Sequence, residues 1–142
     1  MTVQEEENKI IEEFSHFDDW MDKYNYIIEL GRALSPIDEE YRQDKYLING
    51  CQSNVWLQAG LKDRNVYFKA DSDAIITKGI ISLLIRVLSE RTPDEILGAP
   101  LTYLETIGLT KHLSPTRSNG LLSMVKQMRL YALAYKNQLG KG

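Results

Sequence analysis

Cys51 is the residue of this chain with the most distinctive chemistry, because it is the only cysteine. It lies within Ile48–Trp56, where a preceding glycine and the polar Gln52 and Ser53 predict a tight turn. An alternating apolar run begins at Val55, so we place the thiol on a loop that leads into a strand. One thiol cannot close an intramolecular disulfide or hold a metal cluster alone. Three roles stay open: a nucleophile, a carrier and an inert small hydrophobic residue.

A hydrolytic role for Cys51 would need a base, usually histidine, to form and hold the thiolate. The chain has two histidines, His16 at the end of an amphipathic segment and His112 before Leu113. Their spacing does not require either imidazole to approach the thiol. No thiol-protease signature surrounds Cys51. Both histidines are therefore interpreted more simply as surface or structural residues.

Metal and nucleotide sites are disfavoured by the same residues. One cysteine and two scattered histidines give no zinc spacing, and an iron–sulfur scaffold normally supplies several thiolates. The sequence has no Walker loop and no dinucleotide fingerprint. A carrier thiol survives this elimination, since it needs only to be reachable by a partner and shielded between transfers. The residues alone support an inert buried thiol equally well.

Composition limits the class of protein. The chain has 142 residues, 43% hydrophobic and 26% charged, with a formal net charge of −3. These values are typical of a folded domain, and the lack of a dense Lys/Arg block predicts no nucleic-acid partner. The longest apolar stretch, 79–88, is interrupted by Ser82 and Arg86, so no membrane partner is expected. The acidic N-terminus and single cysteine favour a reducing cytoplasm.

The elements that must position Cys51 follow from hydrophobic periodicity. Helical spacing predicts a first helix over about 4–17 and a second helix that Asp18 or Asp19 caps, with Gly31 and Pro36 marking its end. A polar surface loop is predicted over 35–44, and a short strand over 46–48.

Alternation with period two predicts strands over 55–61 and 66–70, joined by a hairpin turn and paired antiparallel. Ser72 is predicted to cap a strongly apolar central helix that runs to about Ser89, with Asp73 in its first turn. Shorter helices follow near 93–98 and 103–107, and a last helix ends near Asn137. We therefore predict one α+β domain over 1–142, with two to three antiparallel strands packed against several helices.

Several separated motifs resemble the SufE family, the sulfur acceptors that work with group II cysteine desulfurases. The resemblance covers nearly the whole chain. The residues that carry it are Trp20, Tyr24, Tyr26 to Gly31, Gly50-Cys51-Gln52-Ser53, Val55-Trp56, Asp71 to Ala74, Lys78-Gly79, Gly108-Leu109 and His112 to Leu121.

This resemblance implies a fold like that of the iron–sulfur scaffold proteins, without their cluster ligands. It implies that the chain accepts a sulfane sulfur from the desulfurase on Cys51 and stimulates that enzyme. The chain then passes the sulfur on for iron–sulfur cluster assembly. The expected partners are the desulfurase and a downstream scaffold complex. The chain itself then needs no cofactor and is not an enzyme, since pyridoxal phosphate belongs to the desulfurase.

The resemblance also implies a mobile cysteine loop. Gly50, Gln52 and Ser53 belong to this loop, and the small residues Gly50 and Ser53 suit either a hinge or an ordinary turn. Arg117 either stabilises the thiolate, contacts the partner, pairs with Asp73 or caps carbonyls. Asp73 is interpreted first as an acidic residue in the first turn of a helix, where negative charge is favoured. Gly120, near a helix start, predicts close backbone packing against the cysteine loop. Two other interpretations stay open: a non-catalytic interaction module with a structural cysteine, and a stand-alone thiol enzyme.

Overall fold

The computed structural model describes residues 1–140; residues 141 and 142, which the predicted domain includes, lie outside the described part. The α+β class with a small antiparallel sheet is confirmed. Within residues 1–140 the elements are α1 (Val3–Phe14), α2 (Trp20–Arg32), β1 (Val55–Lys62), β2 (Asn65–Ser72), α3 (Ile75–Leu88), α4 (Pro93–Gly98), α5 (Tyr103–Thr106), α6 (Leu109–His112) and α7 (Pro115–Gly140).

The two strands form a tight antiparallel hairpin. Val55 is paired with Ser72 at one end of the ladder and Lys62 with Asn65 at the other. Asp63 and Arg64 both have positive φ, 52° and 70°, the backbone geometry of a two-residue hairpin turn that matches strand twist. The predicted strands and turn are therefore confirmed, each strand being somewhat longer than its alternating pattern.

The central helix begins later than predicted. Ser72 is still part of the β2 ladder, so it cannot also cap a helix. The N-cap of α3 is Ala74, which has no side-chain capping bond, and Asp73 precedes the helix. The prediction of a Ser72 cap with Asp73 in the first turn is wrong, because strand pairing holds the backbone extended for two residues beyond the alternating run.

Helix α3 is the centre of the core. Its buried side chains pack against the sheet and against α2; they include Ile80, Ile81, Leu83, Leu84 and Leu88. The contact with α2 is a close crossing of backbones at Gly31 and Gly79. A Cβ atom on Gly79 would lie 2.2 Å from the Ile27 carbonyl oxygen. Along residues 1–140 no helix is both long and apolar enough to span a membrane.

The segment before the cysteine loop is not a strand. It forms 3₁₀ turns at Glu39–Tyr41 and Asp44–Tyr46, and Leu47 makes a single bridge to Trp56. This segment is fixed by Arg42, whose guanidinium pairs with the buried Asp71 and lies 5.2 Å from the Trp56 ring. The predicted strand over 46–48 is therefore wrong, since an isolated backbone bridge and the Arg42 side chain, and not a ladder, attach this segment to the sheet.

Helix α7 covers the free edge of β1. The hydroxyls of Tyr131 and Tyr135 donate to the carbonyl oxygens of Leu57 and Ala59, at 3.5 and 3.2 Å. The i, i+4 spacing along the helix thus matches the i, i+2 spacing of outward carbonyls along the strand. The same helix provides one wall of the site around Cys51.

Candidate functional site

The Cys51 loop, residues 49–54, is closed at its base by backbone bonds. The Ile48 amide donates to the Val55 carbonyl oxygen at 2.9 Å, where the loop leaves and re-enters the sheet. Gly50 has φ of 94°, a conformation that favours glycine. A Cβ atom there would lie 2.4 Å from Ser123 Oγ on α7. The glycine before the cysteine is therefore required by both the turn and the neighbouring helix.

Asp73 anchors the C-terminal end of this loop. Its Oδ1 accepts from the Asn54 amide at 3.1 Å, and the Asn54 carbonyl oxygen accepts from Ser72 Oγ at 2.8 Å. Asp73 is thus a loop anchor and not the first-turn helix residue that the sequence predicted. These bonds fix the loop's end to the turn between β2 and α3.

The tip of the loop is held more weakly. The Ser53 hydroxyl donates to Thr77 Oγ1 at 3.3 Å. The Cys51 thiol donates to the Gly120 carbonyl oxygen at 3.7 Å, a long contact even for a sulfur donor. Gln52 between them is exposed. The tip can therefore leave its place by losing two weak bonds while the base stays paired.

Cys51 opens onto a pocket of about 200 Å³. The loop supplies one side, and the walls come from α3 and the start of α7, with Thr77, Ile80, Thr116, Arg117, Gly120 and Met124 among the lining residues. The thiol is half-buried, and burial raises its pKa above the ordinary value. Cys51 at rest is therefore mostly a neutral, poorly nucleophilic thiol at neutral pH.

Gly120 packs against the loop, as its position in the sequence predicted. A Cβ atom at Gly120 would lie 3.6 Å from the Cys51 sulfur. This is an ordinary contact distance, so the absence of a side chain leaves the thiol open to the pocket on that side. Alanine could be accommodated here, at the cost of covering part of the sulfur.

Arg117 lines the pocket mouth but does not pair with Asp73. Its guanidinium lies 5.9 Å from the Tyr24 ring, within cation–π range, and its side chain is exposed. No ion pair of Arg117 occurs among residues 1–140. Of the roles that the sequence left open for Arg117, pairing with Asp73 is wrong, because Asp73 is turned toward Asn54. The pocket mouth therefore carries a positive charge that an anion or a partner could meet.

Neither histidine belongs to the site. His112 stacks on Trp20 with ring centroids 4.7 Å apart, and His16 is exposed at the end of α1. The residues that line the Cys51 pocket include no imidazole and no carboxylate. Within residues 1–140, no group of three or more His, Cys, Asp and Glu side chains is placed to hold a metal ion. The pocket thus offers a thiol and a nearby cation without a general base.

Sequence patterns did not reveal the residues that complete the pocket. Thr77, Ile80 and Met124 lie on helices far from Cys51 in sequence, and each has the appearance of an ordinary helical residue. Their spacing within α3 and α7 indicates which face is buried, but not what that face contacts. Only the packing of both helices against the loop identifies them.

Comparisons with known proteins agree with this structure. Residues 8–132 match the SufE family, described as the Fe-S metabolism associated domain. The fold is similar to the solution structure of a hypothetical protein from Thermus thermophilus, with a TM-score of 0.76 and 16% sequence identity. That match covers 93% of this chain and 96% of the other. At this identity the structural likeness shows the shared fold alone.

Proposed function

The chain belongs to the SufE family of Fe-S metabolism associated domains, and on that premise we propose that it is a sulfur carrier whose acceptor is Cys51. The donor is a persulfide on a cysteine desulfurase of group II. The carrier removes the donor's sulfur, which frees the desulfurase for another turnover. It then passes the sulfur to a scaffold complex for iron–sulfur cluster assembly. The chain itself is a participant in the transfer and not an enzyme.

The observation that supports this proposal most directly is the way Cys51 is held. The thiol is half-buried beside a pocket of about 200 Å³, while its loop is anchored firmly at the base and weakly at the tip. Shielding protects a thiol or persulfide from oxidants between transfers. A weak tip allows exposure when a partner binds. A permanently buried structural cysteine would need neither the pocket nor the open side at Gly120.

The transfer is a thiol–disulfide exchange that carries sulfur. The Cys51 thiolate attacks the outer sulfur of the donor's cysteine persulfide. A new S–S bond forms on Cys51 as the donor's S–S bond breaks, and the donor's cysteine leaves as a thiolate. No net oxidation or reduction occurs, because one persulfide replaces another. The proton lost by Cys51 goes to the donor's site, which is consistent with a pocket that lacks its own base.

Arg117 is the chain's own residue best placed to assist this exchange. Its exposed guanidinium at the pocket mouth would favour the thiolate over the thiol once the loop opens. At rest the burial of Cys51 raises the thiol pKa and opposes ionisation, so the thiol is activated only where the partner is present. Gly50, with its positive φ, is the position where the loop backbone would change.

Intact-protein mass spectrometry tests the proposal. The chain is incubated with cysteine and a group II desulfurase, without reductant, beside the Cys51→Ser variant. We expect the wild-type chain, but not the variant, to gain one or more sulfur atoms. The variant should fold normally and no longer stimulate the desulfurase. Full stimulation by the variant, or no mass gain on the wild type with an active compatible desulfurase, would reject the carrier. Turnover of a peroxide or a hydrolysable substrate without any partner protein would instead identify a stand-alone thiol enzyme.

A further inference from the structure

Charge is divided unequally along this chain. All twenty Asp and Glu residues precede residue 106, together with eleven of the seventeen Lys and Arg residues. The first 105 residues therefore carry a formal charge of −9, and residues 106–142 carry +6. The net charge of −3 conceals this separation. Because α7 forms most of the cationic part, the side chains that this helix presents to another protein carry positive charge and no negative charge.

The side of α7 that faces away from the core carries leucines. Leu122, Leu130 and Leu133 are exposed by 66%, 48% and 46%. Together with Lys126 they follow the i, i+4, i+8, i+11 spacing of one helix face. Leu97 of α4 lies beside them and helps to line a groove of about 350 Å³. We call this surface, Leu97, Leu122, Lys126, Leu130 and Leu133, the α7 outer face.

This face is separate from the Cys51 pocket. The pocket uses Gly120 and Met124, which point to the opposite side of α7 and are buried. The two surfaces share no lining residue. A molecule bound to the α7 outer face would therefore leave the cysteine loop free to open.

We propose that the α7 outer face binds an amphipathic helix of another protein, one whose apolar stripe is flanked by Asp or Glu. Contiguous exposed leucines beside a groove mark an interaction surface, and leucines at helical spacing fit the apolar stripe of a helix laid along them. Lys126 lies between the leucines and forms none of the ion pairs found along residues 1–140. It is thus available to an acidic side chain of the partner.

A second copy of this chain is a poorer occupant. Two α7 helices packed antiparallel through their leucines would place Lys126 and Arg129 of each copy against the same cations of the other. Since α7 contains no acidic residue, nothing on the helix offsets that repulsion. A lipid surface also fits less well. Asp94, on the adjacent α4, is exposed and paired with Lys136 at 2.8 Å, so the charge of this lysine is offset and fewer free cations remain for anionic headgroups.

The test uses the full chain and a designed helical peptide of about 18 residues, with leucine at the i, i+3, i+4 and i+7 anchor positions and glutamate beside them. A second peptide replaces each glutamate with lysine. Backbone amide NMR shifts locate binding. We expect the acidic peptide to shift the amides of the α7 outer face and the lysine peptide to bind at least about tenfold more weakly.

Three variants provide controls. Lys126→Glu and Leu130→Ser should each lower the affinity for the acidic peptide by about tenfold or more. Met21→Ser, a change at an apolar residue that is 64% exposed on another helix, should leave the affinity unchanged. Cys51→Ser should bind like the wild type, which separates this result from the sulfur-carrier proposal. Four results would each overturn the inference. Two of them concern the peptides: equal binding of both, or shifts confined to the Cys51 pocket. The other two are self-association through α7 and binding to anionic vesicles in place of the peptide.

Discussion

The sulfur of Cys51 lies 3.7 Å from the carbonyl oxygen of Gly120, a residue 69 positions later in the chain. This contact joins the cysteine loop to the first turns of α7. It is a weak bond, since a thiol is a poor donor and the distance is long. The resting position of Cys51 therefore depends mainly on burial, which can be reversed by a partner, and not on a strong directional bond.

The pH dependence of Cys51 reactivity should reflect this burial. The thiol's pKa is raised, so the thiolate forms at higher pH in the native chain than in the unfolded chain. We expect the rate of alkylation by iodoacetamide to reach its half-maximum at a higher pH in buffer than in denaturant. Cys51 is the only cysteine, so the signal has one source. A native midpoint equal to or below the unfolded one would contradict the shielded resting state.

Thr77 should control how often the loop tip opens. Thr77→Val keeps the side-chain shape but removes the oxygen that accepts the Ser53 hydroxyl bond. Loss of about 1 kcal/mol from the closed tip would raise native alkylation of Cys51 by roughly fivefold. Thr77→Ser retains the hydroxyl and is the matched control, with a rate near the wild type. Equal rates for Val and Ser variants would show that this bond does not hold the tip.

Gly50→Ala should destabilise the loop through two separable effects. The alanine Cβ would approach Ser123 Oγ to 2.4 Å, and φ of 94° is unfavourable for any residue with a side chain. We expect a loss of about 1–3 kcal/mol in the free energy of unfolding, measured by urea denaturation. Adding Ser123→Ala should recover part of this loss but not the backbone term. Complete recovery would mean that the steric contact alone requires glycine.

Gly79→Ala should be strongly destabilising, because its Cβ would lie 2.2 Å from the Ile27 carbonyl oxygen at the α2–α3 crossing. Backbone cannot yield as a side chain can, so we expect a loss of about 2–3 kcal/mol. Gly98→Ala is the control, since nothing lies within 4 Å of that position. It should be neutral or stabilising by up to about 1 kcal/mol in thermal denaturation. Similar melting temperatures for the two variants would refute the close crossing.

The buried Asp71 should contribute more to stability than an exposed carboxylate such as Glu29. Its side chain is 3% exposed and forms ion pairs with Arg42 and Lys78, which fix the segment before the cysteine loop and α3 to β2. Asp71→Asn should lower the free energy of unfolding by about 1–3 kcal/mol. This range is below that of a fully buried pair, because both cations are partly exposed to solvent. Glu29→Gln, which breaks an exposed pair with Arg32, should cost less than about 0.5 kcal/mol. A smaller loss at Asp71 than at Glu29 would contradict this network.

The Cys51 loop shows how far local patterns extend. The hairpin, a helix cap at Asp18 or Asp19, the Thr92 capping box and the buried face of α3 were all predictable, because each depends on residues within one or two turns of each other. The position of Cys51 between a turn and a strand was predictable for the same reason. The start of α3 was predicted too early, because the ladder that keeps Ser72 extended is formed with Val55, which lies far away in sequence.

Residue order alone places the single thiol of this protein on a loop before a strand. It also carries the motifs of the family, since those motifs are strings of adjacent residues. The surroundings of the thiol, by contrast, arise from tertiary packing. The Gly120 carbonyl, Thr77 and Ser123 reach the Cys51 loop from helices distant in sequence, and Asp73 turns to Asn54 while Arg117 turns to Tyr24. Such contacts depend on how whole elements pack, and no local pattern of residues encodes which partner a side chain will meet.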